Sequence, residues 1–332
     1  QSAEPLLEYL AVAKVGGATQ VGKGVYTHFL DEKGGIRADL TIVRLSEDCF
    51  RVICGGGTGH RDLVWIKQMA AARHADIEIH NRTHQLATLG LWGPNARKVL
   101  ASLVDDPNAV SDAKFPFATA ANIEIAGIKI WAFRISYVGE LGWELYFDFA
   151  DGLQLWDLFA DAGVNPVGIE TYANSRRLEK SLRLQNADLE TDYNLHEADL
   201  ARKLVKKADF HGKAAYVAQK AADQQASYLC TMVMLKNVDA SGVARYPVGE
   251  WPILNKETRE VLLDEFGRRS ICTSVEYGPS LGSNIILGYI PAEFASVGTE
   301  LLLEYFCEEY PIRIEAVGYA PLLDPENLRV RS

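Results

Sequence analysis

Glycine turns between short runs of alternating apolar and polar residues commit the first half of this chain to antiparallel sheets. Gly24–Leu30 and residues 36–45 alternate on either side of Asp31-Glu32-Lys33-Gly34-Gly35, where two glycines accept positive φ without steric cost. Residues 123–133 make a second hairpin, folded across Ala126-Gly127. A third turn starts at Ile135 and runs through Gly139 and Gly142 into Trp143-Glu144-Leu145-Tyr146-Phe147-Asp148. In that strand Trp143, Leu145 and Phe147 share one side, and Glu144, Tyr146 and Asp148 the other.

Around these strands, residues 4–13, 94–103, 152–162 and 168–183 read as helices, and 61–73 carries Leu63, Ile66, Met69 and Ala70 at helical spacing. Residues 49–54, 76–80 and 85–92 read as further strands, and 214–225 as a linker helix of small and polar residues. Beyond Ser227 short strands and turn residues take over, which predicts a separate β-rich lobe. The fold class is α+β, without a βαβ series.

A net charge of −10 argues against a nucleic-acid partner, since phosphate binding needs a basic surface. It leaves room for an anionic small ligand held by a few local arginines. No run approaches the roughly 18–20 apolar residues that span a bilayer, and the first residues do not form a basic-then-apolar leader. The five cysteines are scattered and form no CxxC pair, which predicts free, mostly buried thiols in a reducing compartment, the cytoplasm or an organelle matrix. The histidines form no HxH or HExxH cluster, so no metal site is expected.

Three places carry candidate chemistry. Gly55-Gly56-Gly57-Thr58-Gly59 lies between a strand and a helix, but His60 breaks the GxGxxG spacing and no Walker lysine follows. The run instead reads as a close-approach loop with Thr58 as helix N-cap and Asp62 in the first turn. Asp62 then either complements the helix dipole, worth about 0.3–1 kcal/mol, or is a carboxylate aimed into a ligand cleft. In the helix over 168–183, Arg176, Arg177, Glu179, Lys180 and Arg183 crowd together, and Glu179 with Arg183 is an i,i+4 pair that a solvated face explains. Finally, Glu140 and Glu144 flank the third glycine turn. They are either a solvated acidic face or acceptors for paired N–H donors of a planar heterocycle.

The wording of these motifs resembles the folate-binding aminomethyltransferase family, which comprises the glycine-cleavage T-protein and the C-terminal halves of dimethylglycine and sarcosine dehydrogenases. The landmarks are Gly34-Gly35-Ile36-Arg37-Ala38-Asp39-Leu40-Thr41, Leu91-Trp92-Gly93-Pro94-Asn95-Ala96-Arg97 and Ser136-Tyr137-Val138-Gly139-Glu140-Leu141-Gly142-Trp143-Glu144. Leu178-Glu179-Lys180, Asp209-Phe210-His211-Gly212-Lys213 and Pro279-Ser280-Leu281-Gly282 continue them. The middle motifs are closer to the dimethylglycine/sarcosine dehydrogenase branch.

The resemblance implies a three-lobed ring of antiparallel-sheet lobes around a central hole that holds tetrahydrofolate. Residues 1–215 would form two intertwined lobes and 226–332 a C-terminal β-barrel lobe, with an opening strand and turn of the first lobe falling upstream of Gln1. It implies one-carbon transfer to tetrahydrofolate from a small amine or methylated donor, with Asp62 as catalytic carboxylate. Glu144, or else Glu140, would hold the pteridine, with Tyr137, Gly57, Arg177 and Arg183 around the folate. In the dehydrogenase branch a flavin-containing domain or subunit would be the partner. A non-catalytic folate-binding or scaffold member is the alternative. The chain departs from the family at Arg176, where a leucine is usual, and at Gln185-Asn186-Ala187 and Asp199, where glycines are usual.

Overall fold

The computed structural model describes residues 3–16 and 19–332. The chain divides into two compact units, one formed by residues 1–28, 38–168 and 326–332, the other by 29–37 and 169–325.

Helix α1 (Glu4–Leu10) buries Leu6, Leu7 and Leu10. Strands β1 (Gly24–Leu30), β2 (Ile36–Arg44) and β3 (Phe50–Cys54) form one sheet in that order. Helix α2 (Gly59–Ala72) follows directly from the glycine loop. A second, antiparallel sheet contains β4 (Leu86–Trp92), β5 (Ala120–Ile125), β6 (Ile128–Phe133) and β7 (Gly142–Asp148), in the order β4-β7-β6-β5. The β5–β6 turn places both Ala126 (φ 50°) and Gly127 (φ 79°) in the left-handed region, the twist a two-residue hairpin favours.

One face of this second sheet forms the first unit's core. Trp143, Leu145 and Phe147 of β7 pack with Ile123, Ile130 and Phe115, and with Leu100 of α3 (Ala96–Leu103) and Leu155 of α4 (Gly152–Asp161). The alternation read from the sequence is what buries these three side chains and leaves Glu144 and Tyr146 half-buried on the opposite face.

The second unit holds the helix that begins at residue 169. It widens into a π-helical stretch at Thr171–Arg176, continues as α5 (Arg177–Glu179) and stops at Lys180. Helix α6 (Lys213–Ala221) precedes the barrel. Strands β8 (Ser227–Met234), β9 (Trp251–Leu254), β10 (Ile271–Gly278), β11 (Ser283–Pro291), β12 (Glu300–Tyr305) and β13 (Glu308–Val317) close in the order β10-β11-β8-β13-β12-β9. All six pairings are antiparallel. Closure leaves no strand edge, and Met232, Ile253, Ile286, Leu303, Ile312 and Ile314 fill the interior. The short helix α7 (Leu328–Arg331) returns the chain to the first unit.

Four local expectations are corrected. Residues 76–80 pair with no strand among the described residues. The helix expected through Arg183 ends at Glu179, because Ser181 turns left-handed (φ 52°) and its hydroxyl is held beside Thr231 Oγ1 at 3.1 Å. Glu179 therefore pairs with Arg176 (2.6 Å) rather than Arg183. Of the five thiols only Cys230 and Cys272 are buried; Cys49 and Cys307 are exposed and Cys54 is intermediate, and none is in a disulfide.

Candidate functional site

Glu144 owes its setting to β7. The strand puts it opposite Gly90 on β4 and Phe133 on β6, with its carboxylate on the face away from the core. Two residues on, the Tyr146 hydroxyl donates to Glu144 Oε2 at 2.5 Å. Burial pushes the Glu144 carboxyl above the usual carboxylate range, and the Tyr146 hydrogen bond opposes that rise. Oε1 has no hydrogen-bond partner among the described residues.

The same face carries a cleft of about 600 Å³ whose walls include Arg51, Asn122, Lys129, Trp131, Tyr146 and Asp148. The Arg51 guanidinium lies 4.0 Å from the Trp131 ring centre and 5.7 Å from that of Tyr146, a cation–π stack. The face thus offers a carboxylate acceptor, aromatic walls and a cation together.

The turn before β7 needs its glycines. Gly139 has φ 74°, and a Cβ on Gly142 would sit 2.0 Å from the Leu91 carbonyl oxygen. Tyr137 is half-buried on this turn. Glu140 is already occupied: Arg329 of α7 donates to its Oε1 at 2.9 Å.

Asp62 sits in the first turn of α2 and is 2% exposed. Arg61 Nε lies 3.3 Å from its Oδ1, while its Oδ2 is buried with no hydrogen-bond partner. Thr58 occupies the position before the helix but does not cap it; its hydroxyl donates back to the Gly55 carbonyl at 3.1 Å. Gly55, Gly56 and Gly57 are exposed, and a Cβ on Gly56 or Gly57 would meet nothing within 4 Å. Beside this loop the Cys54 thiol is pushed up to about 11, first by burial and then by the charge of Asp62. Asp39 on β2 is pushed up to about 7 by burial, with Asp62 adding to the rise and a Tyr26 hydrogen bond opposing it.

Arg177 and Arg183 belong to the second unit and are buried. Arg177 donates to Asp188 Oδ2 (2.5 Å), Ser274 Oγ (2.6 Å), Ala173 O (2.8 Å) and Leu182 O (3.0 Å). Arg183 donates to the Ser181 and Ala198 carbonyls at 2.6 and 3.0 Å. Glu179 accepts from the backbone N–H of Ser280 at 2.6 Å, joining two of the sequence landmarks.

Sequence reasoning thus placed Asp62 with Gly57 and Glu144 with Glu140 and Tyr137, each set on one local element. It missed Asp39, Arg51 and Asp188. Asp39 had a readable signal, a carboxylate between Ala38 and Leu40 on an apolar strand. Asp188 had none. Among the described residues no group of three or more His, Cys, Asp or Glu side chains is placed to hold a metal, and no helix is long and apolar enough to cross a membrane.

An antiparallel sheet carrying this carboxylate face, followed by a closed six-strand barrel, defines a class that comparison with known proteins identifies. The model of the GCVT N-terminal domain matches residues 1–208, and that of the glycine cleavage T-protein C-terminal barrel domain matches 249–317. The chain belongs to the glycine-cleavage T-protein family. It is 34% identical over 298 residues to human mitochondrial dimethylglycine dehydrogenase, covering 88% of this chain and 32% of that protein. It is 30% identical over 285 residues to an aminomethyltransferase of Listeria welshimeri, covering 85% of this chain and 72% of that protein. The chain therefore spans about a third of the length of the dimethylglycine dehydrogenases it matches. In fold it matches the glycine cleavage system aminomethyltransferase T of Bartonella henselae with a TM-score of 0.79 at 22% identity, over 97% of this chain and 82% of that one.

Proposed function

We propose that this chain transfers a one-carbon unit, at the methyl or formaldehyde level, from a small amine or methylated donor to tetrahydrofolate. The observation that carries the reading is Asp62, a carboxylate buried to 2% exposure whose Oδ2 has no partner, behind a glycine loop open on its outer side. A buried, unpaired carboxylate oxygen costs several kcal/mol in a protein with no use for it. Family membership supplies the context, and the homology to dimethylglycine dehydrogenase supports a role as the folate-binding part of such a system, with a flavin-containing domain or subunit as partner. The division into folate-binding lobes over 1–215 and a barrel lobe over 226–332 goes with this reading. So does a reducing location, cytoplasm or organelle matrix, given five cysteines outside any disulfide.

The residues present fit the cofactor. Tetrahydrofolate supplies, when bound, the nitrogen that takes up the one-carbon unit. Glu144 would accept the paired N–H donors of the pteridine edge, using the oxygen that Tyr146 leaves open. Asp62 would stabilise developing positive charge or accept a proton. Glu144 is preferred to Glu140 because Arg329 already engages the latter. Tyr137 and Gly57 flank the two carboxylates' elements, while Arg177 donates to Asp188 and Arg183 to the Ser181 carbonyl within the second unit.

Calorimetry with tetrahydrofolate tests the binding part. Saturable heat is expected, and the absence of both heat and a thermal shift would overturn the proposal. Asp62→Asn should keep binding while turnover falls by about 100-fold or more. Undiminished turnover removes Asp62 from the mechanism, and binding without turnover in the native chain selects the non-catalytic reading.

A further inference from the structure

Strand register sets the side chains of the second sheet's outer face in rows. Glu144 stands opposite Phe133 and Gly90. Two residues along β7, Tyr146 stands opposite Trp131, which in turn stands opposite Asn122. The next row sets Lys129 opposite Glu124. Successive rows on one face lie about 7 Å apart.

Arg51 reaches over the middle row from β3, with its guanidinium 4.0 Å from the Trp131 ring centre and 5.7 Å from that of Tyr146. Stacking uses the flat face of a guanidinium. Its N–H donors radiate in the plane and stay available to another partner. Nη1 is buried with no hydrogen-bond partner. Among the described residues no carboxylate pairs with Arg51: Glu124 faces Lys129 in register, and Asp148 is exposed at the end of β7. Burial lowers the Arg51 pKa, yet an arginine keeps its proton, so a cation sits partly out of water without a counter-charge. Covering Trp131 needs only an apolar side chain; the unused donors need an anion.

The cleft also says which anion. A guanidinium fork matches the two oxygens of a planar carboxylate. Glu124 and Asp148 line the same walls as Arg51 and Lys129, so the cleft has no surplus of positive charge to hold a phosphate dianion.

We propose that Arg51 is a specificity-determining residue that binds a ligand carboxylate in the cleft beside Glu144. The inference rests on the reading above, which puts the pteridine edge at Glu144. A carboxylate one row along belongs either to the amine donor, which is then an N-methylated amino acid rather than a simple methylamine, or to the glutamyl tail of the folate.

Calorimetry on the whole chain tests this with two pairs of probes that differ in carrying a carboxylate. The first pair is N,N-dimethylglycine and trimethylamine, measured with and without tetrahydrofolate; the second is tetrahydrofolate and 6-methyltetrahydropterin. Arg51→Leu should weaken the carboxylate-bearing member of at least one pair by about 10-fold or more and leave its counterpart unchanged. A loss in the first pair assigns the carboxylate to the donor, and a loss in the second assigns it to the glutamyl tail. Arg51→Lys, which keeps the charge without the planar fork, should recover only part of the affinity. The inference is overturned if the native chain binds neither carboxylate-bearing probe, if the variants bind both as tightly as the native chain, or if both members of a pair weaken alike. No heat with tetrahydrofolate fails the functional reading while the first pair still decides on Arg51. Tetrahydrofolate binding with no dependence on Arg51 in either pair fails the inference alone.

Discussion

Tyr146 donates its hydroxyl proton to Glu144 from two residues further along the same strand, on the face of β7 that the core does not use. The contact fixes which carboxylate oxygen remains for a ligand, and it opposes the effect of burial on the Glu144 carboxyl. Tyr146→Phe removes the hydrogen bond and keeps the ring that meets Trp131 edge to face, with centres 5.2 Å apart. The Glu144 carboxyl should then protonate at a higher pH. Tetrahydrofolate affinity should fall by roughly 10-fold or more, as for a lost hydrogen bond to a charged group, and the loss should grow as pH is lowered. Calorimetry across a pH series checks both the size and the trend.

The two glutamates of the turn should separate cleanly. Glu144→Gln replaces a charged acceptor by a neutral amide and should weaken tetrahydrofolate binding by about 1.5–3 kcal/mol. Glu140→Gln breaks a pair with Arg329, whose side chain is 45% exposed, so the change should cost about 0.2–1 kcal/mol of stability and leave the affinity alone. Equal affinity losses in the two variants would put Glu140 at the ligand.

In the second unit, Asp188 is the counter-charge of Arg177. It accepts from Arg177 (2.5 Å), from Ser274 Oγ (2.7 Å) and from the Leu184 backbone N–H (2.9 Å), and both charged side chains are fully buried. Asp188→Asn would leave a guanidinium in a low-dielectric interior with a neutral partner. Denaturant unfolding should show a loss of about 3–5 kcal/mol. A loss below about 1 kcal/mol would mean that water reaches the pair.

Asp39 gives a stability signature independent of any ligand. Its carboxyl is raised from 3.8 to about 7 on folding. Below the lower value both folded and unfolded chains are protonated and the shift contributes nothing. Between the two values the native state keeps a proton that the unfolded chain has released, so this residue makes stability fall as pH rises, and above about 7 its penalty is complete. The penalty is on the order of a few kcal/mol. Asp39→Asn abolishes it, so the melting temperature of the variant should exceed the native one by more at pH about 8 than at pH about 5. A gap that does not change with pH would contradict the raised carboxyl.

What the sequence made legible was whatever a local period or turn encodes. The alternation of Trp143, Leu145 and Phe147 with Glu144 and Tyr146 required only that one side of a strand be buried, and the glycine loop placed Asp62 in the first turn of α2 by position alone. What stayed hidden depends on partners far along the chain. Helix 169–179 has no glycine or proline at its end to announce the stop; Ser181 turns because its hydroxyl meets Thr231, 50 residues away. Asp188 looked like any loop aspartate because Ser274 and Tyr289 reach it from 86 and 101 residues away. Asp39 was readable as an odd charge on an apolar strand, but its lack of a cationic partner belongs to the three-dimensional packing.

Two left-handed residues in the second unit supply the last prediction. Asn186 has φ 70° and Asp199 has φ 52°. Both fall in the left-handed region, which asparagine and aspartate tolerate better than other residues with a Cβ. The left-handed turns at these two positions therefore cost little. Asp199 gains a role as well, since its Oδ2 accepts the Tyr319 backbone N–H at 2.8 Å. Asn186→Gly should be nearly neutral, because relief of left-handed strain offsets the greater entropy of the unfolded chain. Asn186→Ala should cost about 1–2 kcal/mol, the penalty for a Cβ without local side-chain hydrogen bonding in that region. Asp199→Gly should lose about 0.5–1.5 kcal/mol, as the Tyr319 hydrogen bond disappears. Denaturant melts of the three variants give the ordering, and an alanine at 186 as stable as asparagine would show that the turn relaxes out of the left-handed conformation.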